Sequence, residues 1–150
     1  MVEVPNEAQR IAQAVSADML AKDRTSKQLG MHLLAVAPGQ ALLQMLVRED
    51  MLNGFDICHG GLIATLADSA FAVACNSYNE LTVASGFGID IVASAYKGDV
   101  LTAQAIEVSL TGRTGVYDVT VTNQEQKLVA TFRGRSYRLK GRQVVPNLTL

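Results

Sequence analysis

The stretch between Asp56 and Glu80 constrains this chain more than any other. Of its 23 residues, only Asp68 carries a formal charge. From Gly60 to Ser77 the run is rich in Ala and Leu, which are strong helix formers, so it reads as one apolar helix with a carboxylate near its middle. An apolar helix has to be covered by lipid or by protein. About 20 apolar residues can cross a bilayer, but Gly60, Gly61, Asp68, Asn76 and the serines Ser69 and Ser77 make this a poor span, and no second span accompanies it. A protein cover is therefore expected, and no membrane.

A turn of about 100° per residue places Gly61, Ala64, Thr65, Ala72 and Cys75 on the face of Asp68. Leu62, Ile63, Leu66 and Val73 fall on the opposite face. The bulky side asks for a sheet. The small side lets another backbone, a second subunit or a ligand come close.

The flanking sequence supplies the sheet. Residues 6–23 read as a helix capped by Asn6, with Ile11, Val15 and Leu20 on its apolar face. Residues 31–37 and 40–47 read as two strands joined at Pro38-Gly39. After the apolar helix, residues 82–93, 100–110, 115–123 and 128–139 are rich in Val, Ile, Thr and Tyr. Two of these segments alternate as half-buried antiparallel strands do. The expected plan is a single α+β domain over residues 1–150, in which an antiparallel sheet curls over one long helix. Residues 1–29 form an N-terminal helical extension, and residues 141–150 are expected to be a poorly ordered tail.

Charge narrows the function classes. The chain is 18% charged and 49% hydrophobic, with 13 basic and 14 acidic residues. A soluble domain averages about 25% charged, so this chain has apolar surface to hide, as in an oligomer. A net charge of −1 and few aromatic residues argue against nucleic acid as a partner. Cys58 and Cys75 form no CxxC pair, and no His/Cys cluster has zinc spacing, so no disulfide framework and no metal are expected. The segment MVEVPNEAQR lacks an apolar h-region, and the cytoplasm is the expected compartment.

Asp68 and the glycines before it carry the chemistry. A buried aspartate can serve as a structural acceptor. An isolated buried carboxylate is costly unless paired, however, and no cation lies within two helical turns of Asp68 in the sequence. Burial should raise its pKa, which suits a general base. His59-Gly60-Gly61 opens the same helix. The first N–H groups of a helix lack internal partners and sit at the positive end of its dipole, and glycine lets a ligand approach them closely. That arrangement suits a developing oxyanion. Gly60 and Asp68 are roughly 12 Å apart along the helix axis, so a site using both would draw Asp68 from a second subunit.

These residues are recognisable as a set. Leu52-Asn53-Gly54, Cys58-His59-Gly60-Gly61 and Leu66-Ala67-Asp68-Ser69-Ala70 resemble the signature of hotdog-fold acyl-CoA thioesterases, most closely the PaaI type of phenylacetate degradation. Val83-Ala84-Ser85, Gly98 to Ala103, Thr114 to Asp118 and Phe132-Arg133-Gly134 continue the likeness, which covers roughly residues 30 to 140. The resemblance implies a hotdog fold and a homodimer that pairs sheets, assembling to a homotetramer. It implies hydrolysis of an acyl-CoA thioester, aryl-acetyl or hydroxyphenylacetyl, with no cofactor beyond the coenzyme A of the substrate. It assigns the carbonyl-polarising N–H to Gly60, and to Asp68 the carboxylate that activates water or attacks directly across the interface. Asn53 would hold the nucleophile side of the site, and His59 would orient the loop or the substrate. Gly61, Ser69 and Ser85 are expected to line the substrate. Many relatives carry a proline before the Gly-Asp turn, where this chain reads Ala95-Tyr96-Lys97-Gly98-Asp99.

Four cations, Lys97, Arg113, Arg133 and Arg135, are candidates for the coenzyme A phosphates, Lys97 and Arg113 first. Cys58 beside His59 reads as a packed thiol, because adjacent side chains point apart. Gly86-Phe87-Gly88 reads as a bulge, since no third glycine or helix follows it. Tyr96, Tyr117 and Phe132 are expected to pack. The rival readings are a non-catalytic acyl-CoA binder and a hotdog dehydratase, which would pair a His with an acid in a different pattern.

Overall fold

The computed structural model describes residues 5–150. Residues 1–4 of the expected extension lie outside that range. Helix α1 spans Glu7–Lys22, and Asn6 caps it by accepting from the Gln9 N–H at 2.9 Å. A one-turn helix the sequence reading did not separate, α2 (Arg24–Gln28), follows at once and is capped by Asp23. The strands are β1 (His32–Ala37), β2 (Gln40–Leu46), β3 (Glu80–Ile91), β4 (Val100–Thr111), β5 (Thr114–Thr122) and β6 (Leu128–Gln143), with helix α3 (Gly60–Asn76) between β2 and β3.

All pairings are antiparallel, in the order β1-β2-β4-β5-β6-β3. Helix α3 touches every strand, so the sheet wraps it. Alternation explains the core. Leu43 and Met45 of β2, Leu101 and Ala103 of β4, Val119 and Val121 of β5, and Ala130 and Phe132 of β6 point at the helix and are buried. From α3, Ile63, Leu66, Phe71 and Val73 meet them. Each of these side chains other than the alanines contributes about 1.5–3 kcal/mol on burial.

The small face of α3 is only partly covered. Gly61 is exposed, and Ala64, Thr65, Asp68 and Ala72 are half-buried. Two residues depart from the expected faces. Leu62 is half-buried because it lies in the first turn, beyond full cover by the sheet, whereas Cys75 is buried near the helix end. In the β1–β2 turn, Gly39 has φ +72°, and a Cβ there would fall 2.8 Å from the Tyr78 hydroxyl, so only glycine fits.

The expected loose tail is corrected in part. β6 continues past Lys140 to Gln143, and Asn79 then holds Val145 by two hydrogen bonds of 2.8 and 3.1 Å. Tyr117 and Phe132 pack as expected, but Tyr96 is 57% exposed, because it sits in a turn outside the sheet. The bulge expected at Gly86-Phe87-Gly88 is displaced: those residues pair in regular register with Arg135, Gly134 and Arg133, and the shift falls just before them, between Ala84 and Gly86.

Candidate active site

Helix α3 begins without a side-chain cap. His59 stands at the cap position, and its imidazole makes no cap bond. The Leu62 and Ile63 N–H groups both donate to the His59 carbonyl, at 3.0 and 3.4 Å. The Gly60 and Gly61 N–H groups have no acceptor among the described residues. A Cβ on Gly60 would come 2.7 Å from Ile91 Cδ1, so the end of β3 closes one side of this mouth. A Cβ on Gly61 would meet nothing within 4 Å. The mouth is therefore walled by an isoleucine, open in front, and lined by unpaired donors at the positive end of a 17-residue helix.

The preceding loop is held from within. Leu52 and Cys58 form an isolated antiparallel bridge, and the His59 N–H donates to the Met51 carbonyl at 2.9 Å. Asn53 organises the tip: its Oδ1 accepts from the Phe55 N–H at 2.9 Å and the Ile57 N–H at 3.5 Å. Its Nδ2 is left for other use. The Cys58 N–H donates to the Ala95 carbonyl at 2.8 Å, which places the Tyr96–Asp99 turn beside the mouth. Cys58 itself is a packed thiol, 4% exposed, and burial pushes its pKa up.

Asp68 is half-buried on the open face of α3. Burial pushes its carboxyl above the ordinary value, and the negative charge of Asp23 pushes in the same direction. No cation among the described residues offsets either effect. A carboxylate held this way is a stronger base than one in water.

The sequence-derived residues thus divide into groups. Asn53, His59, Gly60, Gly61 and Lys97 gather at one end of the barrel-like core. Asp68 and Ser69 lie roughly 12 Å away along α3. Ser85 lies in the β3 bulge, roughly 20 Å down that strand from Ile91, where its hydroxyl donates to the Arg135 carbonyl at 3.2 Å. Ser69 faces the N-terminal segment, with its Oγ 3.4 Å from Ser26 Oγ. Lys97 is exposed and 3.3 Å from Glu49. Arg113, in the β4–β5 turn, is 3.3 Å from the Tyr137 hydroxyl. The two cations stand at opposite ends of β4, roughly 35 Å apart along the strand, so within one chain they do not converge on one ligand. Arg133 is engaged by Asp118 through bonds of 2.6 and 2.8 Å on the outer face of the sheet.

Sequence reasoning missed Asp23 and Ser26. A carboxylate and a serine in a polar linker show no periodicity, and only the Asp-x-x-Ser capping spacing marked them. It also missed the apolar wall of Ile91 and of Phe87, which stacks on Phe132 at 4.9 Å.

Comparison with known proteins gives the family. The family model "Thioesterase superfamily" matches residues 55–130, which include the α3 mouth and Asp68. The chain is 45% identical to the acyl-coenzyme A thioesterase PaaI of Escherichia coli strain K12 over 82% of its own length and 88% of that protein's. The solved structure of the E. coli PaaI protein from the phenylacetic acid degradation operon superposes with a TM-score of 0.89 at 41% identity, covering 91% of this chain and 99% of that one. A Streptococcus mutans UA159 protein solved bound to acetyl-CoA superposes with a TM-score of 0.72 at 27% identity, covering 75% of this chain and 91% of its own. The resemblance read from the motifs is borne out by matches over most of the chain: it belongs to the thioesterase superfamily, as a hotdog-fold member of the PaaI type.

Proposed function

We propose that the chain hydrolyses acyl-CoA thioesters, with aryl-acetyl or hydroxyphenylacetyl esters as the preferred class. The observation that carries this reading is the pair of N–H groups at Gly60 and Gly61 that find no acceptor among the described residues, open to space in front of Gly61, together with a carboxylate on the same helix that has no cation beside it among those residues. The thioester carbonyl oxygen accepts from the Gly60 N–H. Asp68 takes a proton from water, whose oxygen attacks the carbonyl carbon. The tetrahedral oxyanion stays at the helix mouth, where such donors are worth about 10²–10³ in rate. Collapse breaks the C–S bond, and the departing thiolate receives the proton held by Asp68. Direct attack by Asp68 would instead expel the thiolate and form a mixed anhydride that water opens, and opening at the aspartyl carbonyl would place ¹⁸O from labelled water in the aspartate.

The distance along α3 favours a site drawn from two chains. β3 is an edge strand of 12 residues that exposes Val83, Phe87 and Ile91, and a long apolar edge asks to be paired. Antiparallel pairing of two β3 strands about a twofold brings the Asp68 and Ser85 end of one chain to the Gly60 end of its partner. Exposed Ile106 and Val108 on the outer face of the sheet suit a further pairing of dimers into a tetramer. In this assembly Asn53 and His59 orient the substrate from the loop, Gly61, Ser69 and Ser85 line it, and Lys97 meets the phosphates of coenzyme A. The Arg113 of one chain serves only if the partner brings it near. Two buried free thiols suit a reducing cytoplasm.

The name of the E. coli relative and the acetyl-CoA of the streptococcal structure support the substrate class. An acyl-CoA panel followed by released thiol tests it. Free thiol and carboxylate in equal amounts support hydrolysis. Binding without thiol release would indicate a non-catalytic binder, and gain or loss of water with the thioester intact would indicate a dehydratase.

A further inference from the structure

The N-terminal helical segment reaches the catalytic helix from outside the sheet. Ser26 of α2 is only 2% exposed, and its hydroxyl lies 3.4 Å from that of Ser69. Ser26 Oγ donates to Asp23 Oδ2 at 2.6 Å, and the Ser26 N–H donates to Oδ1 at 3.0 Å. Because the Ser26 proton is committed to Asp23, its oxygen is the acceptor and the Ser69 hydroxyl is the donor. A directed chain thus runs from Ser69, the neighbour of Asp68, through Ser26 to a second carboxylate. We propose that Asp23 is a positioning residue for Asp68: it fixes, through Ser26, the turn of α3 that carries the catalytic carboxylate, and it sets a like charge beside it.

This inference rests on Asp68 being the base, and it adds a role for a segment to which nothing in the motif assigns one. The alternative is that Asp23 merely caps α2. Capping needs an oxygen acceptor and no charge, and Asn caps about as well as Asp. The charge is therefore an extra feature. It is also a costly one, because a second carboxylate near Asp68 opposes ionisation there.

The other groups around α3 do not compensate. From the sheet, Glu107, Tyr117 and Arg138 face the C-terminal half of the helix together with Tyr78 and Cys75. The Tyr78 and Tyr117 hydroxyls donate to Glu107 at 3.0 and 2.9 Å, and Arg138 lies over the Tyr78 ring at 5.1 Å. On the N-terminal segment, Asp18 is paired with Lys22 at 2.9 Å, Lys27 turns to the Ala21 carbonyl, and Arg24 is exposed. Along α3, Asp68 is the sole formal charge.

Asp23→Asn keeps the N–H cap through its amide oxygen and removes the charge, but its Nδ2 cannot accept the Ser26 hydroxyl proton, so it also cuts the link that Ser26→Ala cuts; the charge is read from the part of its effect that Ser26→Ala does not share. The acid limb of its kcat–pH profile is expected to move to lower pH, a shift that Ser26→Ala, with the Asp23 charge intact, does not share. The Asp68 carboxyl, followed by ¹³C NMR, is expected to titrate at lower pH in the same variant. Ser26→Ala keeps the charge and cuts the link, and its kcat is expected to fall about fivefold at constant KM. If the Asp23→Asn acid limb and its Asp68 titration both stay at wild-type positions, or if kcat of Ser26→Ala is unchanged, the proposal is overturned. Failure of the underlying reading looks different: Asp68→Asn would then hydrolyse as fast as wild type. The NMR titration of Asp23→Asn decides the link between the two carboxylates in either case.

Discussion

Gly61→Ala separates the catalytic use of the helix mouth from its stability. Nothing lies within 4 Å of a Cβ at this position, so the added methyl clashes with no protein atom. Alanine is a better helix residue than glycine by at most about 1 kcal/mol, and that gain shrinks in the first turn. For a chain of this length, 1 kcal/mol corresponds to about 2–4 °C in Tm, so the variant should melt at the wild-type temperature or slightly above it. Activity should move the other way. Cα–Cβ bonds tilt toward the helix N-terminus, so the methyl projects about 1.5 Å into the space before the Gly60 and Gly61 N–H groups. A misplacement of about 1 Å at a reacting carbonyl costs on the order of 10²-fold. The expected result is kcat/KM lowered about 10²-fold in a thiol-release assay, alongside an unchanged or raised melting midpoint by calorimetry. Activity within twofold of wild type would refute the reasoning, because it would mean that the carbonyl does not sit at this mouth.

Other perturbations give equally definite outcomes. Asp68→Asn should lose at least about 10²-fold in kcat while still binding the substrate, as judged by calorimetric titration. The same variant should be more stable than wild type near neutral pH. The folded-state pKa of Asp68 is raised by burial and by Asp23, so the stabilising form is the protonated one. Its contribution is complete below the unfolded pKa and is lost as pH rises through the folded pKa. The stability difference between variant and wild type should therefore shrink in acid, and denaturant melts at two pH values check the sign. Gly134→Ala should cost about 1–3 kcal/mol by overpacking, because its Cβ would sit 2.9 Å from the Phe71 ring under the sheet. Its chevron should show faster unfolding with a largely intact active site in the surviving fold.

The apolar run around Asp68, the helix it forms and the alternating strands β4 and β5 were legible in the sequence because periodicity reports which face of an element is buried. Periodicity does not report which neighbour covers that face. Nothing in residues 82–93 says that β3 pairs with β6 and ends as an edge, and that placement makes Ile91 a wall of the helix mouth. The same blindness left Lys97 and Arg113 equal candidates for the coenzyme A phosphates, although β4 holds them at its opposite ends. Asp68 and Gly60 were legible because each breaks its local pattern, as the lone charge in an apolar helix and as a glycine pair at a helix start. Asp23 and Ser26 break no pattern, and only the packing of α2 against Ser69 brings them to the site. The β6 extension to Gln143 was hidden because its last residues are polar, and Asn79 fixes that end from 66 positions away.

The central claim is that each site is built by two chains, Asp68 from one and the glycine mouth from the other. Mixing Asp68→Asn with Gly61→Ala tests this most directly. If subunits exchange freely, half the dimers carry one of each chain, and each of these holds one site with both changes and one site with neither. The account predicts that the equimolar mixture recovers about a quarter of the wild-type thiol-release rate, far above either variant alone. If the mixture gives only the average of the two variants after exchange is shown to be complete, each site lies within one chain and the account is wrong.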